Sequence, residues 1–153
     1  MQALNLPAFP FKIIEEEGKR LIFDPIRKQY LLLTPEEWVR QHFLQFLVKE
    51  KGFPAGLFSI ERKVLHHQRS GRYDALCMNR MGKPFFLVEC KAPGVSIGAA
   101  TFDQVLRYNH SIGAPYLALT NGLEHFVMRV DFQERAVIFL EDIPDYQYLV
   151  SIN

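Results

Sequence analysis

The seven residues Phe85–Lys91, FFLVECK, constrain this chain more than any other stretch. They read as one buried β-strand that ends in an acid and a base. Alternate residues of a strand share a face. Phe85, Leu87, Glu89 and Lys91 therefore have one parity, and Phe86, Val88 and Cys90 the other. Glu89 and Lys91 point the same way and Cys90 points away from them. A charge in an apolar strand is costly unless it is paired or ligated, so this pair needs an explanation.

The neighbouring stretches give that strand a setting. Leu57–Leu65, Arg72–Met78 and residues 84–90 read as three consecutive strands of an antiparallel meander. They are separated by the polar, turn-like HHQRSG (66–71) and by Asn79–Gly82. After Pro93-Gly94, a helix is predicted from about Ile97 to Ile112, with Ala100, Val105 and Ile112 directed inward. It leads to a strand at Tyr116–Thr120, and a strand reached through a helix suggests a parallel crossover. Upstream, Thr34-Pro35-Glu36-Glu37 is a strong helix start, with Thr34 as N-cap, Pro35 at the first helical position and Glu37 closing a capping box. This helix should run to about Glu50 with an apolar stripe of Val39, Phe43, Phe46 and Leu47, before Gly52 and Pro54 stop it.

Before this helix, residues 1–10 form an extended arm, Phe11–Ile14 and Leu21–Phe23 read as short strands, and Tyr30–Leu33 is an apolar run. Beyond the Asn121-Gly122 turn, 124–130 and 135–140 read as a hairpin, and Pro144–Ile152 as a short helix or arm. The fold class is α/β: a central mixed β-sheet flanked by helices, with extra N- and C-terminal strands, in one domain over 1–153.

Length and composition bound the function. A chain of 153 residues, 48% hydrophobic and 23% charged, is long and apolar enough to bury a core. A formal net charge of +1 gives no bulk pull toward nucleic acid or membrane, so a DNA surface must be a local patch. Cys77 and Cys90 form neither a CxxC nor a disulfide framework, and read as small buried residues of a reducing compartment. No stretch has the length of a membrane span and no signal peptide is evident, which makes the cytoplasm the expected location.

Asp74 lies in the strand before the central one. Adjacent strands run about 5 Å apart, so Asp74 and Glu89 converge if the register permits. Two neighbouring carboxylates repel, and a divalent cation removes that penalty. Carboxylate and carbonyl oxygens with water suit Mg²⁺ or Mn²⁺, and the Cys90 carbonyl is a candidate backbone ligand. Such a metal activates water and stabilises charge on a phosphate. Lys91, on the same face, could orient that water or neutralise the phosphate. A D…ExK pattern alone is weak, and a structural ion pair at a sheet edge is the alternative.

The pattern does not stand alone. TPEEWVRQ, GRYDA, FFLVECKAP, QVLRYN and ALTNG together resemble the PD-(D/E)xK nucleases, and more narrowly the N-terminal nuclease domain of type I restriction enzyme R subunits, over roughly residues 24–122. The resemblance implies a restriction-endonuclease-like fold, with Asp74 on the first motif's aspartate and Glu89 and Lys91 on the ExK pair. Gln104 and Tyr108 match the QxxxY motif of this branch, which lies near the active site and supports DNA binding or cleavage. The proline of the first motif is replaced by Tyr73, a change this branch tolerates. The family also uses a glutamate on the first helix near the metal. Glu36 is the better match, since Glu37 suits the capping box; both also favour a helix N-terminus through its dipole.

Gln104 and Tyr108 are i and i+4 and so share a helix face. Arg107 and His110 flank that face within reach of phosphate. Arg62, Lys63, His66, His67, Arg69 and Arg72 form a basic hairpin tip, with Arg69 and Arg72 as candidate DNA-backbone contacts; an ordinary solvated hairpin is the alternative. Glu61 is a weaker candidate for an acid behind the site. The adjacent His66 and His67 face opposite ways on a strand and do not suggest zinc.

The leading expectation is a Mg²⁺-dependent DNA endonuclease acting in restriction or repair. There is no GxxxxGK[ST] motif and no length for a motor, so restriction or motor subunits would act in trans. Double-strand cleavage would call for two sites, which a homodimer could provide. The alternatives are a non-catalytic nucleic-acid-binding or assembly module that keeps the fold, and a nuclease acting on RNA or on damaged or branched DNA.

Overall fold

The computed structural model describes the backbone of residues 1–66 and 69–153, and the side chains outside 61–72. A six-stranded sheet forms its centre, in the order β4-β5-β6-β7-β8-β9. The strands are β4 (Phe58–His66), β5 (Arg69–Met78), β6 (Pro84–Cys90), β7 (Tyr116–Thr120), β8 (His125–Asp131) and β9 (Ala136–Leu140). All neighbours are antiparallel except β6 and β7, which run parallel in register from Phe86↔Tyr116 to Cys90↔Thr120. The helix α2 (Ala99–Ile112) makes that crossover. The meander, the crossover and the terminal hairpin are those expected from the sequence.

The two faces of the sheet bury different sets of residues, as strand alternation requires. Phe86, Val88 and Cys90 enter one core with Val39, Phe43, Leu44 and Leu47 of α1 (Pro35–Lys49). Tyr146 and Leu149 of α3 (Tyr146–Ile152) join that core. Leu87 enters the other core with Val105 of α2, Leu117, Leu119 and Met128. A smaller antiparallel sheet, β1 (Ile13–Glu16), β2 (Lys19–Asp24) and β3 (Gln29–Leu32), precedes α1. It supplies the extra N-terminal strands.

Several local expectations are corrected. Helix α2 starts at Ala99, not Ile97, and Ala100 is exposed while Ile112 is half-buried. Gly98 supplies no capping side chain, and in the first turn Ala100 faces solvent, where its small apolar side chain loses little. The polar segment expected as a turn is partly strand: His66 pairs with Arg69, Leu65 with Ser70 and Val64 with Gly71, because ladder bonding overrides composition there. His67 lies outside the described residues, as do the side chains of Glu61, Arg62, Lys63, His66, Arg69 and Arg72.

Helix α1 is buried well beyond its expected stripe: Gln41, His42 and Gln45 are also covered. The N-terminal arm covers the His42 part of this surface. Phe11 and Trp38 pack their rings on His42 at 4.8 and 4.2 Å, and Trp38 Nε1 donates to the Gln2 carbonyl at 2.9 Å. The arm is fastened further along, where Asn5 N donates to the Gly122 carbonyl at 2.8 Å. Gly122 has φ +85°, and a Cβ there would meet Leu4 at 2.7 Å.

Phe43, fully buried against the sheet, should be the costlier core position. Phe43→Ala is expected to destabilise the chain by about 3–5 kcal/mol and Gly122→Ala by about 1–2 kcal/mol, both read from urea-unfolding midpoints.

Candidate active site

The site lies where two strands part. The backbone ladder between β5 and β6 runs as far as Ala75↔Val88. Beyond it the Asp74 carboxylate replaces a strand partner: the Cys90 N–H donates to Asp74 Oδ2 at 2.7 Å. On the other side of β6, the Lys91 N–H donates to the Thr120 carbonyl at 2.8 Å, which continues the β7 pairing past the strand end. The end of β6 is thus held from both sides while its side chains project. Cys90 packs in the α1-side core and Leu87 in the α2-side core, so the parity expected for Glu89 and Lys91 holds. Lys91 Nζ lies 3.6 Å from Glu89 Oε1. Glu89 Oε2 is buried and accepts no hydrogen bond from any described residue.

Helix α1 brings a residue that sequence reading did not single out. Arg40 is only 4% exposed, and its Nη2 donates to Asp74 Oδ1 at 2.8 Å. Nη1 meets Glu37 Oε2 at 3.2 Å, and Nη2 lies 3.7 Å from Glu36 Oε1. Thr34 caps the helix as predicted, with its Oγ1 accepting from Glu37 N at 3.0 Å. The Glu37 carboxylate also meets Arg27 Nη2 at 3.3 Å, and Arg27 in turn holds the fully buried Asp24 at 2.7 Å. In sequence, Arg40 stands three and four residues after two acids, the spacing of an ordinary surface pair. Only the tertiary approach of β5 shows that it reaches inward.

Burying these groups shifts their protonation. Glu89 is pushed from 4.5 to about 8, first by burial and then by the charge of Asp74, with Glu36 adding and Lys91 opposing. Burial also raises Asp74, against the pull of Arg40 and the Cys90 N–H. Two carboxylates compete here for too little positive charge, as like charges in one site do. The Cys90 thiol is pushed well above its ordinary value, chiefly by burial.

The structure brings Asp74, Glu89, Lys91 and Arg40 together, with Glu36 beside them half-exposed. Among the described residues, no three His, Cys, Asp or Glu side chains converge as a ready-made metal cage. The donor chemistry nonetheless fits a hard divalent cation, because a buried carboxylate oxygen without a hydrogen-bond donor beside a second carboxylate is what such an ion satisfies. Gln104 and Tyr108 pair with each other, Nε2 to Oη at 3.2 Å, on the outer part of α2. No hydrogen bond among the described residues joins them to the carboxylates. Arg107 is exposed on the same helix.

The Asn121-Gly122 turn orders the backbone around it. Asn121 Oδ1 accepts from the Leu123 and Glu124 N–H groups, and its Nδ2 donates to the Val95 carbonyl at 2.9 Å, which ties down the loop that leaves the site.

Residues 35–144 match the family described as Type I restriction enzyme R protein N terminus (HSDR_N). The chain belongs to this family. Among solved structures it is similar to a fragment assigned to the HsdR subunit of a type I restriction enzyme from Vibrio vulnificus YJ016. The two share 20% identity and a TM-score of 0.54, over 78% of this chain and 25% of that one. The chain thus spans about a quarter of that relative's length, and the likeness establishes the shared α/β fold, its mixed sheet flanked by helices. No curated protein matches the chain. No helix among the described residues is long and apolar enough to cross a membrane.

The raised Glu89 carboxyl has a measurable consequence in this family member. Between 4.5 and about 8 the folded chain keeps a proton that the unfolded chain has lost. Stability in the absence of divalent cations should therefore fall as pH rises through that window, with Asp74 contributing in the same direction. Glu89→Gln should flatten the slope. Unfolding midpoints across the window, in EDTA, read this directly, and an unchanged slope in the variant would place the proton elsewhere.

Proposed function

We propose that the chain is a divalent-metal-dependent endonuclease module of the PD-(D/E)xK type that hydrolyses DNA phosphodiester bonds within a restriction system. The observation that carries this reading is the convergence of Asp74, Glu89 and Lys91 at the opening between β5 and β6, with one Glu89 oxygen buried and unsatisfied. Family membership supplies the restriction context.

In this reading Asp74 and Glu89 hold Mg²⁺ or Mn²⁺, helped by the Cys90 carbonyl and by Glu36 from α1. When bound, the ion supplies Lewis acidity and a water of lowered pKa. The chain's own residues do the rest. The Cys90 N–H fixes the orientation of the Asp74 carboxylate. Lys91, held at the end of β6 by its backbone bond to Thr120, directs an ammonium toward the reacting phosphate, where it offsets developing negative charge or positions the attacking water. Gln104 and Tyr108 support the DNA beside this centre, and Arg107, with Arg69 and Arg72 of the hairpin, neutralises backbone phosphates. DNA is the substrate and further restriction or motor subunits are the partners; two copies, or two sites, would be required to cut both strands.

A second reading is favoured by one observation. Both oxygens of Asp74 are already engaged, one by Arg40 and one by the Cys90 N–H, as expected of a non-catalytic DNA-binding or assembly module that keeps the fold.

Nicking of supercoiled plasmid by the purified chain, with Mg²⁺, Mn²⁺ or EDTA, separates the two. Metal-dependent nicking that falls at least about 100-fold in Lys91→Ala is the expected outcome. Folded protein that neither nicks DNA nor takes up Mn²⁺ would establish the non-catalytic reading instead.

A further inference from the structure

We propose that Arg40 is an internal counter-ion that holds Asp74 while the site has no cation and releases it when a divalent cation binds. This inference rests on the metal-dependent reading above and assigns a role within that site to a residue outside its expected ligand set.

Asp74 is 6% exposed and Glu89 8% exposed, and they lie on neighbouring strands. Without a cation, this pair of carboxylates must be compensated from within the protein. Lys91 serves Glu89, at 3.6 Å, and Arg40 serves Asp74, at 2.8 Å. A guanidinium stays charged under all ordinary conditions, so Arg40 cannot give way to another cation by losing a proton and has to move.

The structure supplies somewhere for it to go. Glu37 and Glu36 stand one turn earlier on the same helix and already contact the guanidinium at 3.2 and 3.7 Å. Arg40 can leave Asp74 and keep its contact with Glu37, which leaves Glu36 available to the ion, as a small swing within one side chain's reach. Asp74 stays in place because its other oxygen is fixed by the Cys90 N–H. The exchange therefore frees one carboxylate oxygen, Asp74 Oδ1, without disturbing the strand end.

Calorimetric titration with Mn²⁺ compares the intact chain with Arg40→Met, which keeps the apolar stem packed, and with Asp74→Asn. The intact chain should bind Mn²⁺, Arg40→Met should bind it about ten-fold or more tightly with a larger Mn²⁺-induced rise in Tm, and Asp74→Asn should lose both responses. Equal or weaker binding by folded Arg40→Met, with the intact chain still binding, overturns the counter-ion role and leaves the metal reading standing. No binding by the intact chain overturns both. Should Arg40→Met fail to fold, ¹⁵N-guanidinium NMR of the intact chain under Mg²⁺ decides. The Arg40 signal should shift, while that of Arg27, held by Asp24, stays in place. An Arg40 signal unchanged at saturating Mg²⁺ overturns the proposal.

Discussion

A carboxylate occupies a place where a β-ladder would otherwise continue, and the region around the site depends on that substitution. Asp74 takes the Cys90 N–H at the point where β5 and β6 separate. A backbone carbonyl in that position would have closed the sheet and left no opening for chemistry. A charged side chain keeps the N–H satisfied, lets the strands diverge, and sets a negative charge beside Glu89. The need for a buried arginine, the raised Glu89 carboxyl and the compensating acids of α1 all follow from it.

The second constraint is the double anchoring of β6. Its last residues are tied to β5 by a side chain and to β7 by backbone, and the Asn121-Gly122 turn ties the following loop and the N-terminal arm to the same end of the sheet. Glu89 thus projects from the end of a central strand and Lys91 from the backbone-anchored residue just past it, which suits groups that must hold their geometry. Residues 35–144 place this strand end in the N-terminal region of type I restriction enzyme R proteins, and the α/β fold that carries it is shared with a much longer restriction subunit fragment.

The sequence disclosed the fold and the polarity of the site well, and for definite reasons. The alternation of FFLVECK assigned Glu89 and Lys91 to one side and Cys90 to the other, and from Phe86 to Cys90 the two cores divide in that way; Phe85, opposite the register shift at Cys77/Met78, departs and packs with Phe86 in the α1-side core. Thr34-Pro35 announced α1 through chemistry confined to a single helical turn. What stayed hidden depends on distant contacts. His42 is covered because an arm more than thirty positions upstream folds back on it, which no helical period records. Arg40 has acids at i−3 and i−4 that already satisfy the local pattern, and the Asp74 it also holds lies 34 residues away. The side chains of Arg69 and Arg72 lie outside the described residues, so the basic hairpin tip stands as the sequence left it.

The parallel joint between β6 and β7 has a bearing on how the chain reaches this state. The meander and the β7-β8-β9 hairpins are sequence-local and can form early, whereas joining β6 to β7 requires the whole α2 crossover to close, and docking Arg40 requires α1 to settle on the sheet. Non-local pairings of this kind are slow steps. The two carboxylates, on β5 and β6 of the meander, become neighbours early; what comes late is their burial under α1 and the arrival of Arg40 beside Asp74. The cost of burying the pair then falls mainly on the native side of the barrier and is expressed in how fast the protein opens more than in how fast it folds. Occupying the site with a positive ion would lengthen the lifetime of the folded chain, so that in this architecture loading the site and persisting in the folded state become one event.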